Sequence, residues 1–340
     1  MSHSVTLEKI CILHCYFLRH PPKRRQITHH WEGVKLFAKI NSREELKAIA
    51  QFTRWRQHVP FVVPLTILGA MIAIQQNDLS PDWRLGTILI ANILGMSCAF
   101  MLNDIEDAED DALHPEKRLN NVISSGVLSQ QSGWTVFRAT SAIALVLYAL
   151  GGVWTALWGC LGLAVAYMYS AKPSRLKARP VVDVISHSLG AGSLQVIIGY
   201  YAYDNNPGSG WYIIFAMTLG SVYGQFYNQL DDYDVDKQAG LRNTTLLIGK
   251  PAATFLMYLA ITSAALCIVI AMLQGIFPQW LGTVIVVSGI ACALFVWKND
   301  MRGNPVGFFE AFQIPVLLVI NLTAMLWLAW ALGLLSTGRS

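Results

Sequence analysis

Nine long apolar runs constrain this chain more than any other feature of its sequence. From residue 59 onward they lie at roughly 59–76, 85–103, 134–151, 153–169, 184–203, 211–230, 252–273, 279–297 and 313–335. Each reaches, or nearly reaches, the ~20 residues a helix needs to cross a bilayer. Hydrocarbon offers no partner to a bare backbone amide, so segments of this kind form helices. The third and fourth runs are joined only by Gly151-Gly152. The fifth is the least apolar, with Asp183, His187 and Gln195 in or near it. The expected fold class is an all-α integral membrane protein with nine transmembrane helices.

Composition and charge agree. Of 340 residues, 54% are hydrophobic and 14% charged, against about 25% charged in a soluble domain. With the N-terminus in the cytoplasm, 22 of the 25 Lys and Arg fall in the cytoplasmic segments 1–58, 104–133, 170–183, 231–251 and 298–312. Arg84 and Arg339 are left on the opposite side, and Arg138 lies inside a helix. That asymmetry is what the positive-inside rule requires. It predicts a multi-pass protein with a cytoplasmic N-terminus, in the plasma (inner) membrane if the source is bacterial or archaeal. The basic residues serve the bilayer, and no nucleic-acid partner is expected. Cys98, Cys160, Cys267 and Cys292 lie within apolar runs and read as packing residues. Cys11 and Cys15 lack partners for a zinc site, and no disulfide framework is implied.

Two acidic stretches stand at helix ends on the predicted cytoplasmic side. Asn103 to Asp111 reads Asn-Asp-Ile-Glu-Asp-Ala-Glu-Asp-Asp directly after an apolar run. If the helix continues, Asp104, Asp107 and Asp111 share one face. Asn228 to Gly240 follows another run, and Asn228, Asp232 and Asp236 are four apart. Ten of the chain's 21 acidic residues lie in these two places. One acidic run alone reads as a solvated helix end, but two with the same spacing at the same kind of helix end do not. Clustered carboxylates repel unless a cation sits between them, and hard oxygen ligands suit Mg²⁺, which commonly also binds substrate phosphates.

Basic residues share that side. Lys117 and Arg118 follow the first stretch, and Lys172, Arg175, Lys177 and Arg179 lie between the fourth and fifth runs. Acid, metal and base together make a diphosphate site, with Lys and Arg neutralising what the metal does not. Lys172 and Arg175 are expected to hold diphosphate, then Lys117 and Arg118, while Arg179 serves mainly as a topology anchor.

These residues resemble the motifs of the UbiA superfamily of intramembrane prenyltransferases. Asn103, Asp104, Asp107 and Asp111 match its first aspartate-rich motif. Asp232 and Asp236, followed by Gly240 and Thr244-Thr245, match its second, and Tyr169 to Lys177 match its Tyr-Ser-x-x-Pro-x-Arg-Leu-Lys segment. The arginine at the start of its first helix corresponds to Arg54 or Arg56, and Asp231 and Asp234 leave a second register open for the second motif. The resemblance covers about residues 50–335. It implies nine helices around a central cavity and Mg²⁺-dependent transfer of a prenyl group from a prenyl diphosphate to a hydrophobic or aromatic acceptor. Asp104, Asp107, Asp232 and Asp236 would be catalytic, and with Asp111 would hold metal. Asn103 and Asn228 would join the diphosphate set. Tyr169, Tyr223 and Tyr227 could shelter a carbocation or serve as interfacial anchors. A membrane terpene cyclase with the same diphosphate site, or a cation transporter, are the competing readings. Transporter carboxylates usually sit near the midplane, whereas these lie at helix ends.

Residues 1–50 form a polar extension before a prenyltransferase domain at 51–340. Its Lys23-Arg24-Arg25 cluster suits an anionic leaflet, and His29, His30 and Trp31 are an alternative lid over the cavity. Ser42, with Glu45 three residues on, begins an amphipathic interfacial helix.

Overall fold

The computed structural model describes residues 42–113, 115–238, 240–294, 298–299, 305–306, 311 and 313–335. The extension at 1–41, with His29, His30 and Trp31, lies outside them. Ten principal helices follow in order. They are α1 (Ser42–Phe52), α2 (Trp55–Gln76), α3 (Trp83–Glu106), α4 (Gln130–Leu150), α5 (Val153–Ser170), α6 (Val182–Tyr201), α7 (Trp211–Asp231), α8 (Lys250–Leu273), α9 (Gln279–Leu294) and α10 (Gln313–Ala331). Helices α2–α10 coincide with the nine apolar runs to within four residues at either end. Seven of these nine are long and apolar enough to cross a membrane. The other two are α9, with 16 residues, and α7, whose last turns carry Gln225, Asn228, Gln229 and Asp231.

Local chemistry explains the breaks. The doubtful boundary after α4 is real because Gly152 adopts φ 121°, a conformation open to glycine at little steric cost. Thr155 then donates to the Tyr148 carbonyl at 2.7 Å, tying the turn together. Helix α6 widens into a π-turn at Leu189–Ser193, and the side chain of Gln195 reaches back to donate to the Gly190 carbonyl at 3.0 Å. Turns of this kind recur at functional sites, and this one follows Asp183 and His187.

The core is centred on α2, whose residues from Pro64 to Ile74 are all buried. It meets α6 through two glycines. A Cβ on Gly69 would lie 2.0 Å from the Val196 carbonyl oxygen, and one on Gly199 would lie 2.3 Å from that of Thr66. Small residues let membrane helices approach backbone to backbone. Beside this crossing Asn92 of α3 donates to Thr66 Oγ1 at 2.8 Å and accepts from the Tyr148 hydroxyl at 3.1 Å. Three helices are thus joined by hydrogen bonds where no water competes. On the far side of the bundle Arg84 salt-bridges Asp82 at 2.9 Å and lies 4.4 Å above the Tyr203 ring. The outer faces of α4, α5, α8 and α9 expose Val146, Leu157, Leu266 and Val287, which suits acyl chains.

The glycine crossing gives a direct test. Gly199→Ala should destabilise the bundle by about 1–3 kcal/mol, because the added methyl has nowhere to go. Gly86→Ala, where a Cβ meets nothing within 4 Å, should be neutral. Thermal unfolding of both variants in detergent checks this, and equal midpoints would contradict the packing described.

Candidate active site

The site is built where α3 and α7 run out of apolar residues. Helical hydrogen bonding continues through the first acidic stretch, with Asp107 N–H donating to Asn103 at 2.9 Å and Asp111 N–H to Asp107 at 2.8 Å. This keeps Asp104, Asp107 and Asp111 at related positions. Their surroundings differ. Asp104 is fully buried, and Arg54 donates to its Oδ1. Its Oδ2 is buried with no hydrogen-bond partner. Arg54 is therefore the arginine at the first helix that faces the site. Arg56 is exposed and stacks over Trp55.

The loop after α5 brings the cations. Lys177 donates to Asn103 Oδ1 at 2.8 Å and also to Asp107 Oδ2. Arg175 bridges Asp107 and Asp110, at 3.2 and 3.3 Å. Lys172 stands further out, 3.3 Å from exposed Glu109. Burial pulls the Lys177 ammonium below the usual lysine range, and the charge of Asp107 restores only part of this. Lys177 thus joins Arg175 on the first stretch, whereas the sequence reading had named Lys172 and Arg175 for the diphosphate and given Lys177 no role. It was legible as a member of the Tyr169–Lys177 segment, but loop spacing carries no depth. Arg54, Arg175 and Val181 all have positive φ, at 49°, 37° and 72°. Strained non-glycine backbone tends to collect at functional sites.

The second stretch repeats the pattern. Asp232 N–H donates to Asn228 and Asp236 N–H to Asp232, at 3.0 and 2.9 Å. Asp236 is half-buried and accepts from Asn243 Nδ2 at 2.9 Å. Burial and then the charge of Asp232 push its carboxyl up, against Lys117 and Asn243. Lys117, from the loop after the first stretch, thus bears on the second. Asp234 pairs with Lys250 at 2.9 Å, while Asp236 is the residue of this stretch that feels the charge of Lys117. Among the described residues Arg118 makes no ion pair and is exposed.

Two supports escaped the sequence. Asn121 is fully buried and donates to both the Asp104 carbonyl and Asp111 Oδ2 at 2.9 Å, while its Oδ1 accepts from Ile123 N–H. Asp183 is fully buried at the start of α6. It accepts from Gln229 Nε2 at 2.7 Å, from Thr244 N–H at 2.8 Å and from the Thr244 hydroxyl. Gln229 in turn accepts from Thr245 N–H at 3.0 Å. A lone Asn in a loop and a lone Asp at a helix start have no periodic signature, so only contacts reveal them.

The aromatic residues separate. Tyr223 and Tyr227 are buried and stacked at 6.5 Å, packed with Val184 and Phe226. Tyr169 lies 6.2 Å from the His187 ring and is hydrogen-bonded to Gln225.

Among the described residues no three acidic or histidine side chains converge on one point, because Arg54, Lys177 and Asn121 each engage one carboxylate. The donor set nevertheless fits a hard divalent cation. It is all oxygen, and Asp104 Oδ2 is a buried carboxylate oxygen without a hydrogen bond. Asp104, Asp107 and Asp111 on one side, with Asp232 and Asp236 on the other, are the residues that could hold such ions.

Asp183→Asn should lower stability by about 1–3 kcal/mol, since an amide cannot accept at both positions and leaves a buried donor unmet. Thermal unfolding measures the loss. An unchanged midpoint would remove Asp183 as the pin of the Thr244–Thr245 turn.

Comparison with known proteins places the chain by sequence and by fold. A lycopene elongase/hydratase of Corynebacterium glutamicum is 25% identical over 224 residues, covering 64% of this chain and 75% of that protein. A 4-hydroxybenzoate octaprenyltransferase of Enterobacter sp. is 23% identical over 254 residues, covering 73% and 85%. The fold matches a UbiA homologue from Archaeoglobus fulgidus bound to GPP and Mg²⁺, with a TM-score of 0.65 and 19% identity over 84% of this chain and 98% of that one. Residues 62–314 match the UbiA prenyltransferase family, spanning helices α2 to α9 and both acidic stretches, and the chain belongs to that family.

Proposed function

We propose that this membrane prenyltransferase moves a prenyl group from a prenyl diphosphate to a hydrophobic or aromatic acceptor, with Mg²⁺ held by the two acidic stretches. One observation carries the reading. Carboxylates and cations alternate at one end of the bundle, with Arg54 on Asp104 and Lys177 and Arg175 on Asp107. Such an array can exchange its internal pairs for a polyanion and its metal ions. The relatives support it, since one is named for octaprenyl transfer and a structural neighbour binds GPP with Mg²⁺.

Residue roles follow from charge. Arg54, Lys177, Arg175 and Lys117 offset the charge that grows on the diphosphate as the allylic C–O bond breaks and its electron pair leaves with oxygen. When bound, Mg²⁺ supplies further Lewis-acid neutralisation of that leaving group. Tyr169, Tyr223 and Tyr227 offer ring faces to the allylic cation. An electron pair of the acceptor closes the new bond, and the acceptor's proton is then lost. Lys172 and Arg118 attract the diphosphate from a greater distance, and Asn103 and Asn228 orient it. The reading sets both stretches at the cytoplasmic face, on the strength of the Lys and Arg asymmetry.

The test is incubation of membranes holding the full chain with labelled C10 to C20 and longer prenyl diphosphates and candidate acceptors, with products identified by mass. Transfer should require Mg²⁺ and stop with a chelator. Asp107→Asn should lower turnover about 100-fold or more, the scale of losing one principal electrostatic contact. Asp110→Asn, at an exposed carboxylate, should lower it much less. Near-normal turnover of Asp107→Asn would sink the assignment. A prenyl product formed without any acceptor would make the enzyme a cyclase instead.

Lys177→Met should raise the KM for prenyl diphosphate more than Lys172→Met, because Lys172 is exposed and Lys177 is partly buried against Asp107. Steady-state kinetics decide this, and equal KM values would return the role to the outer lysine.

A further inference from the structure

Arg138 has no part in the chemistry above. Among the described residues it is the only Lys or Arg deeper than the first turn of any of the helices α2–α10. A charge at that depth in a membrane helix calls for a partner, yet among the described residues Arg138 makes no ion pair. It is exposed, and its guanidinium lies 5.7 Å from the Trp134 ring centroid, one turn nearer the acidic end of the bundle. That direction is dictated by helix geometry, since side chains tilt toward the helix N-terminus and long cationic ones reach for the interface. The charge is therefore carried toward the acidic end of the bundle.

An apolar groove begins at the preceding residue, Phe137. About 360 Å³ of space lies between α3, α4 and α5, lined by Phe137, Ser141 and Leu145 on one wall and Cys160, Leu163 and Tyr167 on the other. Helices α4 and α5 are antiparallel. Phe137 and Tyr167 thus mark the end near the acidic stretches, and Leu145 and Cys160 the deep end. Eight helical rises of α4, from Phe137 to Leu145, and seven of α5, from Cys160 to Tyr167, make a channel ~10–12 Å long, parallel to the helix axes. Its one hydroxyl on α4 is internally satisfied, because Ser141 donates to Cys98 Sγ at 3.3 Å. The floor offers only apolar and sulfur atoms. Ser141 and Leu145 lie three and seven residues beyond Arg138, on the same stripe of α4.

We propose that this groove binds one anionic glycerophospholipid, with its phosphate on Arg138, its glycerol region against Trp134 and Tyr167, and the upper part of one acyl chain in the channel. Charge complementarity selects the anionic class: Arg138 is the one charged residue of α4, and among the described residues it makes no ion pair. Trp134 and Phe137 also pack on the cluster of Phe52, Met101, Ile105, Val122 and Leu128. The lipid therefore braces the helix end that carries the first acidic stretch.

The test is native mass spectrometry of the full chain released from nanodiscs of palmitoyl-oleoyl phosphatidylglycerol and phosphatidylcholine in equal amounts. The wild type should retain one phosphatidylglycerol about fivefold over phosphatidylcholine, the scale of one basic residue at an anionic surface. Arg138→Gln should lose the preference, Arg138→Lys should keep most of it, and Ala164→Phe, which fills the channel, should reduce retention of both lipids. Thermal unfolding identifies any variant that fails to fold, and Arg138→Gln against Arg138→Lys decides if Ala164→Phe does. Equal retention by wild type and Arg138→Gln overturns the proposal. So does release of the lipid by saturating farnesyl diphosphate with Mg²⁺, which would assign the groove to the prenyl donor.

Discussion

A carboxylate at the end of a membrane helix must meet an opposite charge or a set of hydrogen-bond donors, and the active end of this protein is arranged around that requirement. Asp104 has Arg54, Asp107 has Lys177 and Arg175, and Asp183 has Gln229 and Thr244. None of these partners is close in sequence. Each pair draws a different loop onto the bundle, so electrostatic need becomes tertiary structure. Burial makes such pairs costly to break on one side, which explains why the loops lie in defined places although few apolar residues hold them.

The same pairs prepare the chemistry. Cations held against carboxylates are already at the distance a diphosphate would need, and exchanging one anion for another requires little movement. Pre-positioned charge is the main source of stabilisation for a leaving group. The strained φ values at Arg54 and Arg175 fit this picture, since backbone strain persists only where surrounding contacts over-determine it. Asn121 and the Asp183 hub act at one remove. They fix the loops from which Asp111 and Asn243 project.

Rigidity comes from elsewhere. The α2–α6 glycine crossing and the Asn92 hydrogen bonds lie deep between the helices. There, backbones touch and polar groups have no water to turn to. The acidic end can therefore use its side chains for binding, because the bundle does not rely on them for cohesion. Arg138 and its groove lie outside this scheme, on the face that meets lipid.

The nine helices were legible because hydrocarbon imposes one rule on every spanning segment, and a run of apolar residues is its direct imprint. The break at Gly151-Gly152 was only weakly marked, and the positive φ of Gly152 is what makes it real. The acidic stretches and the one-face spacing of the first were legible for a similar reason, since helical spacing is a one-dimensional property, whereas Asp231 and Asp234 left the register of the second open. Which cation meets which carboxylate was not. Lys172, Arg175 and Lys177 are equivalent as letters in a loop, and only the fold of 170–181 buries Lys177 and leaves Lys172 in the open. Likewise Arg54 and Arg56 are two residues apart, and the left-handed turn at Arg54 decides which of them faces Asp104. Asn121 and Asp183 had no periodic signal at all. Their roles rest on contacts across 10 to 61 residues of chain, and a contact of that kind exists only once the helices have packed.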